Sequence, residues 1–412
     1  MLNTLTLIAL GLLLLSALML YLCRWRAFGS VVKLAKEQAH FTIAPDRISS
    51  QIHQNTDVSY NGTPQVSLIL PSLNDGWWME RNLKYWLQQR SHNFEVIVAD
   101  ASDEAEDETE NIVKRLQQEF KHLRYTRVPL THRNIHSRKL ALTLGIRAAR
   151  APWVVILPPD GSPENKDWLA RISKHFTKDV DVVMGYLNYD DSIGSPGRRA
   201  VYQTARRFAQ QAEAAIKGTP IGCSEGNVAL RRECFLELGG FIDSLEVPYG
   251  ECALLVDARA EKGRVAVELH PEAAVRRHLP DEAILAEERR QQEHVYDRLI
   301  SRHRWVFLRE SIAQIFIYLA IFATLSYGFL RWVYFQGGQY PELRALGFTL
   351  PVELPRYEWS QLAYDILAAL LLILLLVAPI VAANRWCKAL GERPFGTYTW
   401  TYELLQPWRK TK

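Results

Sequence analysis

The sequence predicts an α/β domain on a mainly parallel sheet, carried between apolar segments near the two ends of the chain. Three observations lead there. Short continuous apolar runs alternate with helical spacing between residues 66 and 157. Long stretches without a charged residue lie at 2–23, 311–330 and 366–383. The composition is that of folded protein: 412 residues, 48% hydrophobic and 23% charged, with a net charge of only +4. A dedicated nucleic-acid binder would show a much larger basic excess, so nucleic acid is excluded as a partner. The length allows two or three units at ~150 residues each. Cys23, Cys223, Cys234, Cys252 and Cys387 are scattered. They form neither a disulfide framework nor a zinc spacing, as expected of a reduced, intracellular middle region.

Taken in order, residues 2–23 are long enough to cross a ~30 Å hydrocarbon core. A cleaved signal peptide would begin with basic residues, whereas here Arg24, Arg26, Lys33 and Lys36 follow the run. A retained anchor over 1–24 is expected, with the N-terminus outside and a membrane-proximal linker at 25–63 inside. Residues 66–71 (VSLILP) read as a strand buried on both faces, and 79–89 as a helix. The run 95–100 (EVIVAD) repeats the strand pattern, followed by a helix at 107–120 and a strand at 124–128. A helix at 138–150 and a strand at 153–157 (WVVIL) complete the alternation. Such sheets bind ligands beyond the carboxyl ends of their strands, where strand order reverses. Asp100 and Asp160 stand at such ends. No glycine-rich dinucleotide fingerprint and no P-loop follows a strand.

Further on, the acidic run from Asp103 to Glu110 reads as a solvated helix face, and 252–262 as a helix. His270 and His278 flank a strand-like stretch; the first reads as an ordinary surface or core imidazole, and for the second a phosphate or metal contact is left open as the weaker alternative. The basic, glutamine-rich stretch 287–304 suits a membrane surface or an acceptor groove. Spans are expected within 306–335 and 361–384, with basic flanks on the inner side and the loop 336–360 outside. The tail 385–412 is expected inside, its aromatic part lying at the interface.

The ordered motifs of the middle region resemble those of family 2 glycosyltransferases of the GT-A (nucleotide-diphospho-sugar transferase) fold, over residues 64–305. Pro71-Ser72-Leu73-Asn74-Asp75 is similar to P-x-x-N-E, and Asp100-Ala101-Ser102 to the end of D-D-x-S. Lys139 with Ala141-Leu142-Thr143-Leu144-Gly145 resembles K-x-x-A-L-N-x-G. Leu157-Pro158-Pro159-Asp160 stands at the D-x-D. Gly226-Asn227-Val228-Ala229-Leu230-Arg231-Arg232 followed by Gly239-Gly240-Phe241 matches G-x-N-x-A-x-R-R and G-G-F. Glu251-Cys252 stands at the E-D that carries the catalytic base, and Arg304-Trp305 at the R-W of Q-x-x-R-W.

The resemblance implies a nucleotide-sugar donor, bound by Pro71, Asn74, Asp75, Asp100, Ser102, Lys139, Asp160, Asn227, Arg304 and Trp305. It implies a divalent metal, Mg or Mn, on Asp160, with Asp100 against the uracil or ribose. Inversion needs a base for the acceptor hydroxyl, which falls to Glu251 or Cys252. Two departures stand out. Pro158 replaces the first carboxylate of the D-x-D, and Cys252 replaces the aspartate of E-D. The expected activity is transfer of a sugar to a lipid-linked or polysaccharide acceptor for the cell surface. The expected place is the bacterial inner membrane as a multi-pass protein, the catalytic domain cytoplasmic, with a partner subunit or oligomer possible. The alternative is a catalytically inactive subunit scaffolding a glycan synthase. Plainer readings of single residues stay open: Asp100 as a helix cap, Asp160 in a turn, Lys139 as a solvated helix charge, Glu251 as a helix-start carboxylate, Arg304-Trp305 as a membrane flank.

Overall fold

The computed structural model describes residues 2–20, 28–40, 64–129, 137–190, 195–258, 264–298, 312, 315–329 and 359–404, apart from 92, 105, 245, 246 and 248. Arg304 and Trp305, most of the linker and the loop 336–358 therefore lie outside the described residues. The chain divides into two compact units, Ser30–Arg304 with Trp386–Arg393, and the remaining terminal segments.

In the first unit the elements run α2 (Gly29–Ala39), which follows α1 of the second unit (Leu2–Leu20), then β1 (Val66–Ser72), α3 (Gly76–Leu87), β2 (Phe94–Asp100), α4 (Thr109–Glu119), β3 (Leu123–Arg127), α5 (Ser137–Ala148) and β4 (Trp153–Ile156). Next come β5 (Gly161–Pro163), α6 (Trp168–Ser173), β6 (Val182–Gly185), β7 (Leu187–Tyr189), α7 (Ser195–Ile216), β8 (Val228–Arg231) and α8 (Arg232–Glu237). The unit continues with α9 (Glu251–Ala258), β9 (Val265–Glu268), β10 (Val275–Arg277) and α10 (Glu282–Arg298). The main sheet has the order β3-β2-β1-β4-β8-β6-β9. β8 pairs antiparallel with both β4 and β6, and the other main-sheet pairs are parallel, as the apolar strands predict. Order reverses at β1, which lies between β2 and β4. A small second sheet runs β5-β10-β7.

The core explains the register. Val66, Leu68 and Leu70 pack with Trp86, Val96, Val98 and Trp153. Gly145 lets α5 close on β1: a Cβ there would stand 2.7 Å from Ile69. The acidic run is a correction. Residues 103, 104 and 106–108 precede the helix, since α4 starts at Thr109, although Asp103, Glu104, Glu106 and Glu108 are exposed as expected. Asp107 accepts the Gly76 and Thr109 amides at 2.9 and 3.1 Å, so it fixes the starts of two helices rather than facing water. Part of the expected linker also joins the globular unit. Gln38 donates to Val267 O at 2.8 Å and accepts from Leu269 N at 2.7 Å, tying α2 to β9. Glu392, expected in the tail, is buried and accepts from Tyr186, Asn188 and Arg276.

In the second unit, α1, the apolar helix Ile315–Phe329 (α11) and α12 (Trp359–Ala389) pack through Leu13, Ile317, Ala320, Leu371 and Leu375. α13 (Tyr398–Leu404) adds the Trp400 indole, which donates to Leu376 O at 2.6 Å. Among the described residues one helix, Asp365–Ala389, is long and apolar enough to cross a membrane; Leu10–Met19 and Ile315–Phe329 are shorter apolar helices. By length and composition the structure thus gives one such helix where the sequence predicts three.

Candidate active site

A cleft of about 410 Å³ opens in the globular unit at the carboxyl ends of β1 and β4, the switch point of the sheet. That place and that volume suit a small-molecule ligand. Its lining includes Asp75 from the β1–α3 turn, Arg138 from α5, Pro158 and Asp160 after β4, and Tyr189 from β7. Arg207 from α7, Glu225 before β8, Glu251 at the start of α9, Arg277 from β10 and Glu288 from α10 complete it.

The β1–α3 turn is held by its own side chains. Asn74 has φ 60°, a left-handed conformation that asparagine tolerates better than most residues. Its amide N–H donates to Ser102 Oγ at 2.9 Å, and its side-chain oxygen accepts from the Asp103 and Glu104 amides at 3.0 and 3.1 Å. Asn74 and Ser102 thus clasp the ends of β1 and β2. Pro71 is buried within β1. Asp75 reaches the cleft, and burial pushes its carboxyl up to about 6, with the charges of Asp160 and Asp107 adding to the effect.

Asp100 is 2% exposed and does not line the cleft. It accepts the Tyr125 hydroxyl at 2.6 Å and the Ser102 amide at 2.8 Å. Lys139 is 1% exposed, not the solvated helix charge that sequence leaves open. Its ammonium donates to Ser244 O and Val247 O, each at 2.5 Å. Asn227, at φ 53°, is fully buried. It donates to Tyr186 O at 2.7 Å and Ala273 O at 3.1 Å, and accepts the Trp168 indole N–H at 3.1 Å. These three polar residues of the expected donor set hold backbone and core. His270 caps the 3-10 turn Pro271–Ala273 by accepting the Glu272 amide.

Of the two expected catalytic residues, Glu251 lines the cleft and Cys252 does not. The Cys252 thiol lies among Ile156, Val228 and Phe235. A hydrogen bond with Cys223, together with burial, holds it well above the ordinary thiol value. Glu251 is 2% exposed, with Oε2 3.8 Å from Arg138 and Oε1 buried without a hydrogen-bond partner. Beside it stands Glu225, which the sequence reading missed although it adjoins the G-x-N motif. Glu225 accepts the Cys252 and Ala253 amides at 2.9 and 3.2 Å, capping α9. Burial, then the neighbouring Glu251 charge, holds the Glu225 carboxyl well above the usual carboxylate range.

At Asp160 the structure gives an ion pair. Both carboxylate oxygens accept from Arg277 Nε, at 3.0 and 2.9 Å. Arg277 Nη2 donates to Glu288 at 2.9 Å, and Glu288 accepts the Tyr189 hydroxyl at 2.6 Å. Antiparallel pairing sets Arg277 opposite Gly161, one residue beyond Asp160. Sequence gave no sign of Arg277, because β10 and β5 are joined only by long-range pairing. These residues do not make a site for the implied metal: Pro158 offers no ligand and the Asp160 carboxylate is already engaged. Among the described residues no group of three or more His, Cys, Asp or Glu side chains is arranged to hold a metal ion.

No curated protein matches the chain. Among solved structures, similarity extends to a mannosyltransferase from Pyrobaculum calidifontis in complex with GDP-Man and Mn2+, at 17% identity, over 90% of this chain and 98% of that one, with a TM-score of 0.49. It extends to glucosyl-3-phosphoglycerate synthase from Mycobacterium tuberculosis in complex with Mn2+, UDP and phosphoglyceric acid, at 15% identity, over 63% and 84%, with a TM-score of 0.39. A third is S. aureus TarS, at 17% identity, over 61% and 43%, with a TM-score of 0.37. The family model described as glycosyl transferase family 2 matches residues 67–239, from β1 through α8. The segment that builds the switch point and the Asp75, Asp160 and Glu225 side of the cleft is therefore the part of the chain that the glycosyl transferase family 2 model matches.

Proposed function

We propose that this chain is an inverting, membrane-anchored glycosyltransferase, moving a sugar from a nucleotide-sugar donor to a hydroxyl of a lipid-linked or growing glycan acceptor. The observation that carries the reading is the Glu251 carboxylate, which lines the cleft with one oxygen buried and unpartnered. An unpaired acceptor is costly in a folded protein unless a ligand completes it. In the transfer, the acceptor hydroxyl oxygen attacks the anomeric carbon from the face opposite the leaving group. Glu251 takes the hydroxyl proton as the new C–O bond forms. The bond from the anomeric carbon to the phosphate oxygen breaks, and the nucleoside diphosphate leaves with that electron pair. Glu225 holds the start of α9, which carries Glu251.

Membrane attachment is supported by the long apolar helix and by the large apolar side chains that the terminal unit turns outward, among them Phe322, Leu325 and Leu370. The basic flanks favour a cytoplasmic catalytic unit at the bacterial inner membrane, where donors are made. The test is release of nucleoside diphosphate from a panel of sugar nucleotides, with membranes as acceptor source. Glu251→Gln should cut turnover by ~10²–10⁴-fold while donor binding survives. A second reading, a catalytically inactive subunit of a glycan synthase, is favoured by Pro158 and Cys252 standing where carboxylates are expected. Wild-type protein that turns over no donor in the panel would select it.

A further inference from the structure

We propose that the positive charge meeting the donor's diphosphate in this cleft is the Arg277 guanidinium, not a divalent cation. The inference rests on the nucleotide-sugar reading above. It starts from the position where a metal ligand is expected. Pro158 has no ligating side chain, and Asp160 has both oxygens within 3.0 Å of Arg277 Nε. A cation would have to break that pair, in a place where Asp160 and Arg277 side chains are only 16% and 23% exposed. Separating such a shielded pair leaves an uncompensated charge.

Arg277 is also held in one orientation. Glu288 grips Nη2 at 2.9 Å, Tyr189 fixes Glu288 at 2.6 Å, and the guanidinium carbon lies 5.5 Å from the centre of the Tyr189 ring. The pairing of β10 with β5 fixes its backbone. A guanidinium has five N–H donors in a planar fork. The bonds to Asp160 and Glu288 use one on Nε and one on Nη2. Three remain, and this geometry matches phosphate oxygens two at a time. Arg207 lines the same cleft and adds a second permanent charge.

The two carboxylates that orient Arg277 also offset its charge, and this separates the two possibilities. If a metal binds through Asp160, losing that carboxylate abolishes nucleotide binding. If Arg277 meets the phosphates, Asp160→Asn removes a repulsive charge and tightens binding, by roughly 3- to 30-fold for a charge ~6 Å away in a partly shielded site.

The experiment is calorimetric titration of the purified full chain with UDP and with GDP, first with EDTA and then with added MnCl2. Expected are dissociation constants for the bound nucleotide that agree within about threefold under the two conditions. Arg277→Gln should weaken binding by roughly 10- to 100-fold, the loss of charge-assisted hydrogen bonds, and Arg277→Lys should recover part of it. Binding seen only with Mn2+, or lost in Asp160→Asn protein that melts like wild type, overturns the arginine assignment and leaves the nucleotide-sugar reading standing. Failure of both nucleotides under both conditions overturns the two together. The wild-type titrations need no variant to fold.

Discussion

Replacing Lys139 with methionine separates packing from ligand binding at a position that the family motif assigns to the donor. In the structure its ammonium is fully buried and donates to Ser244 O and Val247 O at 2.5 Å, with the Phe241 ring 5.9 Å away. It holds the segment that runs from the G-G-F motif to α9, and so the approach to Glu251. A hydrogen bond to a charged donor contributes ~1.5–3 kcal/mol, so two give ~3–6 kcal/mol. Methionine keeps most of the aliphatic volume and removes the cost of burying a charge, which burial already expresses by lowering the Lys139 pKa. A net loss of about 2–4 kcal/mol follows, a large share of the ~5–15 kcal/mol that holds a domain together. The assay is urea unfolding, followed by titration of the folded variant with UDP and GDP. The midpoint should fall with unchanged slope, while nucleotide affinity changes little. A variant as stable as wild type that no longer binds nucleotide would refute the packing role and return Lys139 to the donor site.

Two further outcomes follow from the geometry. Asp75 has its carboxyl raised from 3.8 to about 6, so stability present below pH ~4 falls as pH rises through 6, by about 3 kcal/mol when the group ionises. Asp75→Asn should remove that decline, read as a flatter melting temperature between pH 4 and 8. Gly185→Ala would put a Cβ 2.5 Å from the Asn227 side chain, forcing it off Tyr186 O and Ala273 O. Thermal unfolding should report a loss of about 3 kcal/mol, from overpacking and broken hydrogen bonds.

The strands most legible in the sequence are those buried on both faces. VSLILP, EVIVAD and WVVIL announce β1, β2 and β4 because a parallel sheet covered by helices leaves no polar alternation. The second sheet was not legible. Its strands have three residues each and exist only because β10 meets β5 and β7, which lie far off in sequence. The same separation hid half of the site. Asp160 and Glu251 follow from motif position, but Arg277 lies 117 residues from Asp160, and Glu225 lies 28 residues from the Ala253 amide that it caps.

The motif residues divide by how much hydrogen-bonding capacity they have left. Asn74, Asp100, Lys139 and Asn227 are recognisable in sequence because their places in the backbone demand them, and their polar atoms meet partners inside the fold. A ligand reaching Asn227 would have to replace bonds to Tyr186, Ala273 and Trp168 that are already made in a dry core. Exchanging good buried bonds for others of the same kind yields little net free energy. Glu251 keeps a buried oxygen with no partner. Arg277 keeps three N–H groups beyond its bonds to Asp160 and Glu288. Incoming chemistry gains most where donors and acceptors remain unmet in a shielded cleft, because there a new bond is weighed against an unsatisfied group rather than against an existing one. By that criterion the proposed working groups of this domain are Glu251 and Arg277. The most sequence-recognisable positions are its scaffold, and substitutions there should register in melting before they register in binding.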